Sequence, residues 1–301
     1  MANAVLPTTT TTTTAARTAP SVSWLGASWT LYTLTLRQHL HGKRWLVMTL
    51  LFLLPAGLAV VIRSTSPQVP PAALEFVLAM MFIPQALLPI IALLYASGII
   101  QDEQEEQTIT YLLLRPIPKW AIYTLKLLAA MTTTAVLVAV FTAFTYLAIY
   151  VGAGAPASEV AVRYLKAASI HALAVVTYCS VFGLMSLLTK RVLVFGILYT
   201  AIFEGLLANL PFGIRLVTVI YYTRLIAYRT MTFHVQRPNG RSHDVAALAW
   251  QLAATGDPGL AEHPQLGTCI AVLLIASVAC TAIAGWLCSQ REFHVKTPEK
   301  E

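Results

Sequence analysis

Four carboxylates, Asp102, Glu103, Glu105 and Glu106, crowd together in a chain that is otherwise poor in charge. Acids at that density can hold a hard cation through oxygen ligands, act in general acid–base hydrolysis, or meet a partner surface. The first two chemistries need companion groups, and the sequence must say whether they exist.

A Glu-Glu pair at a membrane surface resembles the pattern of CAAX-type intramembrane proteases. That pattern needs an Arg four residues after the second Glu, where this chain has Thr110. A matching set of membrane-embedded histidines is also missing: His171 is the one His well inside an apolar run, and a lone His there is more often a packed polar group than a ligand. A metal site is unspecific here, because a solvated acidic turn is far commoner than a cation cage, and no metal is expected. No Ser-His-Asp set, Gly-rich phosphate loop or dinucleotide fingerprint occurs. The chain is therefore expected to be non-catalytic, with no cofactor of its own and its energy drawn from a partner or an ion gradient. Cys179, Cys269, Cys280 and Cys288 lie in apolar runs without C-x-x-C spacing, which indicates neither a disulfide framework nor a zinc site.

The elements that must position the acids are membrane spans. Of 301 residues 57% are hydrophobic and 11% charged, against about a quarter charged in soluble domains. The expected fold is an all-α integral membrane protein. The net charge of +7 fits loop Lys and Arg facing anionic lipid, and no basic stripe with interleaved aromatics supports nucleic-acid binding. Residues 1–21, with Thr8 to Thr14 in a row, read as a disordered tail. The membrane domain then runs over 22–289, and 290–301 form a charged tail. Residues 22–44 combine Trp24, Trp29 and Tyr32 with a basic end, which suits an interfacial helix or the solvated start of the first span. Spans are expected at 45–62, 74–100, 121–151, 167–188, 192–210 and 268–288, with Pro84 and Pro89 kinking the second. Six spans put both termini on one side. Short-segment Lys and Arg, including Lys119, Lys190 and Arg191, make that side cytoplasmic, so the expected location is the cytoplasmic membrane.

The acidic segment, 101–120, then lies in the cytoplasm between spans two and three. A helix starting near Asp102 would place the acids in its first turns, where the helix dipole favours them. Ile109, Leu112 and Leu113 give it one apolar face. Arg115 sits at its end, and Pro116 and Pro118 stop it. Lys119 and Trp120 mark re-entry to the interface, and Lys126 can snorkel back toward it.

This arrangement resembles the permease subunits of ATP-binding cassette transporters with type-2 exporter architecture. The residues that carry the resemblance are Glu105, Glu106, Thr108, Leu112, Leu113, Leu114, Pro116, Lys119 and Lys126, together with the six-span order and the interfacial first helix. Gln107 departs from the Gly that many members have before the Thr. The resemblance implies that residues 102–118 form a coupling helix docked on a separate ABC ATPase, which would hold the ATP and Mg. It further implies a dimer of permeases, here expected to be a homodimer, surrounded by membrane lipids. Lys190 and Arg191 would make a second ATPase contact, or serve simply as a positive-inside anchor.

Two features stay open. Glu204 falls in the outer half of span five, where it either faces a substrate path or reaches outer headgroups. The 211–267 segment, expected on the extracytoplasmic side, holds an Arg- and Tyr-bearing stretch over 214–231 suited to interfacial or re-entrant helices, then a polar part with a Pro238-Asn239-Gly240 turn. Two functions follow. One is an ATP-driven exporter permease. The other is a mechanotransmitting or scaffold subunit that relays ATPase motion to an extracytoplasmic partner without moving a substrate.

Overall fold

The computed structural model describes residues 24–41, 44–105, 117–210, 213–236, 242–250 and 263–290, and these are helical for most of their length. The helices are α1 (Trp24–His41), α2 (Arg44–Thr65), α3 (residues 71–105), α4 (Lys119–Tyr150), α5 (Ala157–Leu188), α6 (Val192–Asn209), α7 (Val219–Thr230), α8 (Val245–Ala249) and α9 (Leu266–Gln290). A two-stranded antiparallel hairpin, β1 (His234–Gln236) and β2 (Ser242–Asp244), lies between α7 and α8. Six segments are long and apolar enough to cross a membrane: Leu46–Thr65, Pro71–Ile99, Lys119–Tyr150, Ala157–Leu188, Val192–Asn209 and Leu266–Gln290. Because the connections alternate, one end of the bundle holds the close of α3, the start of α4, the α5–α6 turn and the close of α9. We call this the near end; α7 and the hairpin lie at the far end.

The number and order of spans are as expected from the apolar runs, but boundaries differ, most of all in the fourth and second spans. The fourth span starts at Ala157 rather than 167. Pro156 leads into it in an extended conformation (φ −60, ψ 133), and Glu159 pairs with Arg163 at 3.2 Å one turn on, so a stretch that reads as loop by charge is helix. The preceding turn shrinks to 151–156, where Gly152 and Gly154 both take φ 74, a left-handed conformation that costs a side-chain-bearing residue about 1–2 kcal/mol. The second span starts at Pro71 rather than 74. At its other end α3 runs on to Glu105, so Asp102 lies within the closing turns of that helix rather than at the start of one. Nothing between Ile99 and Glu105 breaks a helix, and Gln and Glu propagate one readily.

Residues Glu75–Leu87 of α3 are wound as a π-helix, and Pro84 has a local consequence there. In the wider winding a carbonyl accepts from the residue five positions on, so Ala79 faces Pro84, which has no N–H. His171 of α5 supplies the missing donor: its Nε2 lies 3.0 Å from the Ala79 carbonyl oxygen. With the proton on Nε2, Nδ1 accepts from the Thr142 hydroxyl at 3.1 Å. This lone intramembrane His is a packed polar group that repairs a proline defect.

Burial divides the bundle into core and rim. In the apolar windows of α3 and α5, 61% and 67% of residues are buried, against 22% in α2, 22% in α6 and 17% in α9. Between membrane helices close approach depends on small residues, since lipid offers no hydrophobic push. A Cβ on Gly183 of α5 would lie 2.7 Å from the Tyr123 hydroxyl of α4, and one on Gly196 of α6 would collide with the Leu93 side chain of α3. Outside the bundle, α1 packs on the foot of α4: Ala27 and Leu31 bury against Ile117 and Ala121, and Tyr32 Oη lies 3.0 Å from Thr132 Oγ1.

Candidate functional site

The near end carries the expected coupling residues. Asp102, Glu103 and Glu105 fall in the closing turns of α3, at the negative end of the helix dipole, whereas a helix start would have favoured them. Glu106, Thr108, Ile109, Leu112, Leu113, Arg115 and Pro116 lie outside the described residues. Beyond them Ile117 is buried beside α1, and Pro118 (φ −64, ψ 146) opens α4 without needing a donor of its own. Lys119 begins α4, and its carbonyl accepts from Cys288 Sγ of α9 at 3.6 Å. Lys126 is buried rather than extended toward the interface, and its Nζ donates to the Ile99 carbonyl near the close of α3 at 3.4 Å. That bond joins the two helices flanking the acidic segment. Lys190 and Arg191 lie exposed in the α5–α6 turn at the same end, and Thr189 Oγ1 accepts from the Arg191 N–H at 3.2 Å.

The far end holds a polar network that is largely invisible along the sequence. Glu75, at the head of the π segment, is completely buried. Its Oε1 accepts from the Tyr146 hydroxyl at 2.8 Å and its Oε2 from the Tyr150 hydroxyl at 2.5 Å. Arg163 Nη1 completes the shell with an ion pair to Oε2 at 3.2 Å. Tyr146 and Tyr150 are one helical turn apart on α4, so both reach one carboxylate. Arg163 also donates to the Thr232 carbonyl at 3.3 Å, and Lys166 Nζ to the Thr230 carbonyl at 2.9 Å. Two cations of α5 therefore hold the carbonyl end of α7, where the helix dipole favours positive charge.

Glu204 holds the other end of α7. It is fully buried. Its oxygens accept from the N–H groups of Val219 at 3.1 Å and Ile220 at 2.9 Å, and from the Tyr199 hydroxyl at 3.3 Å. This is an N-cap made by a side chain of another helix, satisfying donors that the first turn leaves orphaned. Arg224, mid-way along α7, donates to Asn209 Oδ1 at 2.9 Å and Gln85 Oε1 at 3.1 Å. Burial pushes its guanidinium below the ordinary value, while the nearby Glu204 carboxylate acts in the opposite direction. Nine of the twelve α7 residues are buried, so the Arg- and Tyr-bearing stretch of the 211–267 segment is built into the bundle rather than laid on it.

A cleft of about 540 Å³ opens between α4, α5 and α9, flanked by Trp120 and Trp286. Its hydroxyls are engaged within the walls: Ser180 donates to the Val176 carbonyl at 2.8 Å, Ser277 Oγ lies 2.7 Å from the Leu273 carbonyl and 3.2 Å from Thr177 Oγ1, and Thr281 Oγ1 lies 2.8 Å from the Ser277 carbonyl and 3.4 Å from Ser180 Oγ. The walls consequently offer few polar groups. Among the described residues no group of three His, Cys, Asp or Glu side chains is placed to hold a metal ion.

Six helices long and apolar enough to cross a membrane define an all-α, multi-pass integral membrane protein. The family model for the ABC-2 family transporter proteins matches residues 40–208, more than half of the chain and all of α2 to α5 with nearly all of α6. The chain belongs to that family, and is thus the membrane-embedded permease component of an ABC transporter, a class that implies an ABC ATPase as partner. No curated protein matches the chain.

Proposed function

We propose that this permease exports a substrate across the cytoplasmic membrane, working as half of a homodimer and driven by ATP hydrolysed, with Mg, on a separate ABC ATPase. Residues 102–118 are the coupling segment that docks on the ATPase, and Lys190 and Arg191 add a second contact. Both termini and the near end face the cytoplasm, and α1 lies in the inner membrane interface with Trp24 and Trp29 toward the lipid headgroups. The single observation that carries the reading is positional. The family match brackets an acidic and apolar segment between α3 and α4, at the end of the bundle that also presents the Lys190-Arg191 turn. A plain solvated loop would need neither the helical spacing of Ile109, Leu112 and Leu113 in the sequence nor the Lys126 bond that ties its two flanking helices together.

Co-expression with the partner ATPase tests it. Leu112→Asp and Glu105→Lys should each abolish co-purification and the permease-dependent part of the ATPase rate. Undiminished association and activity in both variants would refute the coupling assignment. ATP-dependent loss of cargo from vesicles holding the complex separates export from a purely mechanical relay, in which the ATPase rate depends on the permease but no cargo moves.

A further inference from the structure

We propose that α6 is a rocker: its far end is a pivot clasped to α7, and its near end swings against an otherwise fixed bundle. The polar attachments of α6 to other elements are unevenly placed. Glu204 binds the two leading N–H groups of α7, and Asn209 receives Arg224. Both attachments lie in the last third of the helix. Toward the near end only Val192 and Gly196 are buried, while Leu193, Val194, Phe195, Ile197 and Leu198 stay about half exposed. What holds that part is apolar packing: Gly196 on Leu93, and the Tyr199 ring edge-on to Phe182 at 5.8 Å.

In a bilayer these two kinds of attachment differ sharply. Parting apolar surfaces lets lipid in, which is as apolar as the side chains it replaces, so little is lost beyond packing. Parting Glu204 from its amide donors would leave a carboxylate and two N–H groups unsatisfied in a medium without water. The near end is therefore the end that moves. The pivot itself is fixed, because α7 is buried along nine residues and pinned at its other end by Arg163 and Lys166. Two local features permit the swing. Thr189 is extended (φ −133, ψ 145), so α5 stops there and α6 is a separate helix beginning after the non-helical residues 189–191. Residues Thr200–Leu206, beside the clasp, are π-wound, a looser winding that accommodates bending. The pivot follows from these contacts alone; its use in transport rests on the ATP-driven reading above, with the Lys190-Arg191 turn as the driven point.

Spin-label distances in the purified permease, in lipid nanodiscs without ATPase, test the pivot separately from the coupling assignment. In a chain with Cys179, Cys269, Cys280 and Cys288 replaced by Ala, labels at Val194→Cys and Leu128→Cys report the near end. Labels at Leu206→Cys and Leu147→Cys report the far end. The near pair should show a distribution at least twice as wide as the far pair, and Glu204→Ala should widen the far pair. Equal widths, or a wider far pair, would overturn the proposal. Hydrogen exchange on the unmodified chain gives a second measurement if the labelled variants do not fold. The Val219 and Ile220 amides should be protected, and should lose at least tenfold in protection in Glu204→Ala; unprotected amides in the unmodified chain would also overturn it.

Discussion

Replacing Arg163 by Met should destabilise the permease more than any substitution of the groups around it, and the reason can be worked from the Glu75 shell. Glu75 is fully buried, and Arg163 supplies the positive charge that lies against it, with 22% of its side chain exposed. Removing one member of a buried pair costs about 3–5 kcal/mol, because the other charge is left uncompensated in low dielectric. Water reaches part of Arg163, and Tyr146 and Tyr150 still donate to the carboxylate, so the loss should fall near the lower limit, about 3 kcal/mol. Glu75→Gln should cost less, about 1.5 kcal/mol, since the amide keeps an acceptor and Arg163 can turn to Glu159 and solvent. In the double variant no buried charge remains unpaired. It should lie within about 0.5 kcal/mol of Glu75→Gln alone, which makes the two changes strongly non-additive. Glu159→Gln is the control: that partner is 56% exposed, and an exposed i,i+4 pair is worth only about 0.3–0.5 kcal/mol. Thermal unfolding of the four purified variants in one detergent measures the series. Additive losses, or an Arg163→Met loss no larger than that of Glu159→Gln, would refute the account of the pair.

His171→Phe removes the donor to the Ala79 carbonyl that Pro84 leaves unpaired, and should cost about 1–3 kcal/mol in the same unfolding assay; combining it with Pro84→Ala, which returns an N–H to the helix, should recover part of the loss. Gly196→Val drives a side chain into Leu93 and should lower the unfolding temperature, with Leu93→Ala restoring most of it; a full loss that Leu93→Ala does not relieve would show that the α3–α6 approach is not what Gly196 provides.

Six spans and their order can be read from the chain because each is a run of about 18 or more apolar residues, a length that suits a bilayer crossing and is rare in soluble domains. What the chain does not display is polar and paired at a distance. Arg163 and Lys166 look like loop residues by charge, and only their partners, Glu75 and the carbonyls of Thr230 and Thr232, place them inside a helix. Glu75 does carry a signal, as an acid at the second position of the span expected from 74, but nothing along the chain links it to Tyr146, Tyr150 or Arg163, over seventy residues away. Glu204 is visible as an intramembrane acid, and both expectations for it look outward, to a substrate path or to headgroups. Its contacts are instead the N–H groups of α7, a helix whose burial no periodicity announces. The coupling segment is the reverse case: residues 106–116 are outside the described part, so its apolar face and proline stop rest on the sequence.

The two ends of the bundle are therefore built on different physics, and this decides how an applied force would spread. At the far end, α3, α4, α5, α6 and α7 meet through carboxylates, guanidinium groups and backbone polar atoms that have no alternative partner in lipid. At the near end, polar links lie on either side of the acidic segment, Lys126 to Ile99 and Cys288 to Lys119. They join α3, α4 and α9 into one unit around the proposed coupling segment. Those three helices would then resist a force as one unit, while α6 is attached to the bundle at that level by Leu93, Phe182 and their apolar neighbours. Relative motion must concentrate where apolar packing alone resists it. The surface around Gly196 in the near half of α6, facing Leu93 of α3, is accordingly the place where this permease should open.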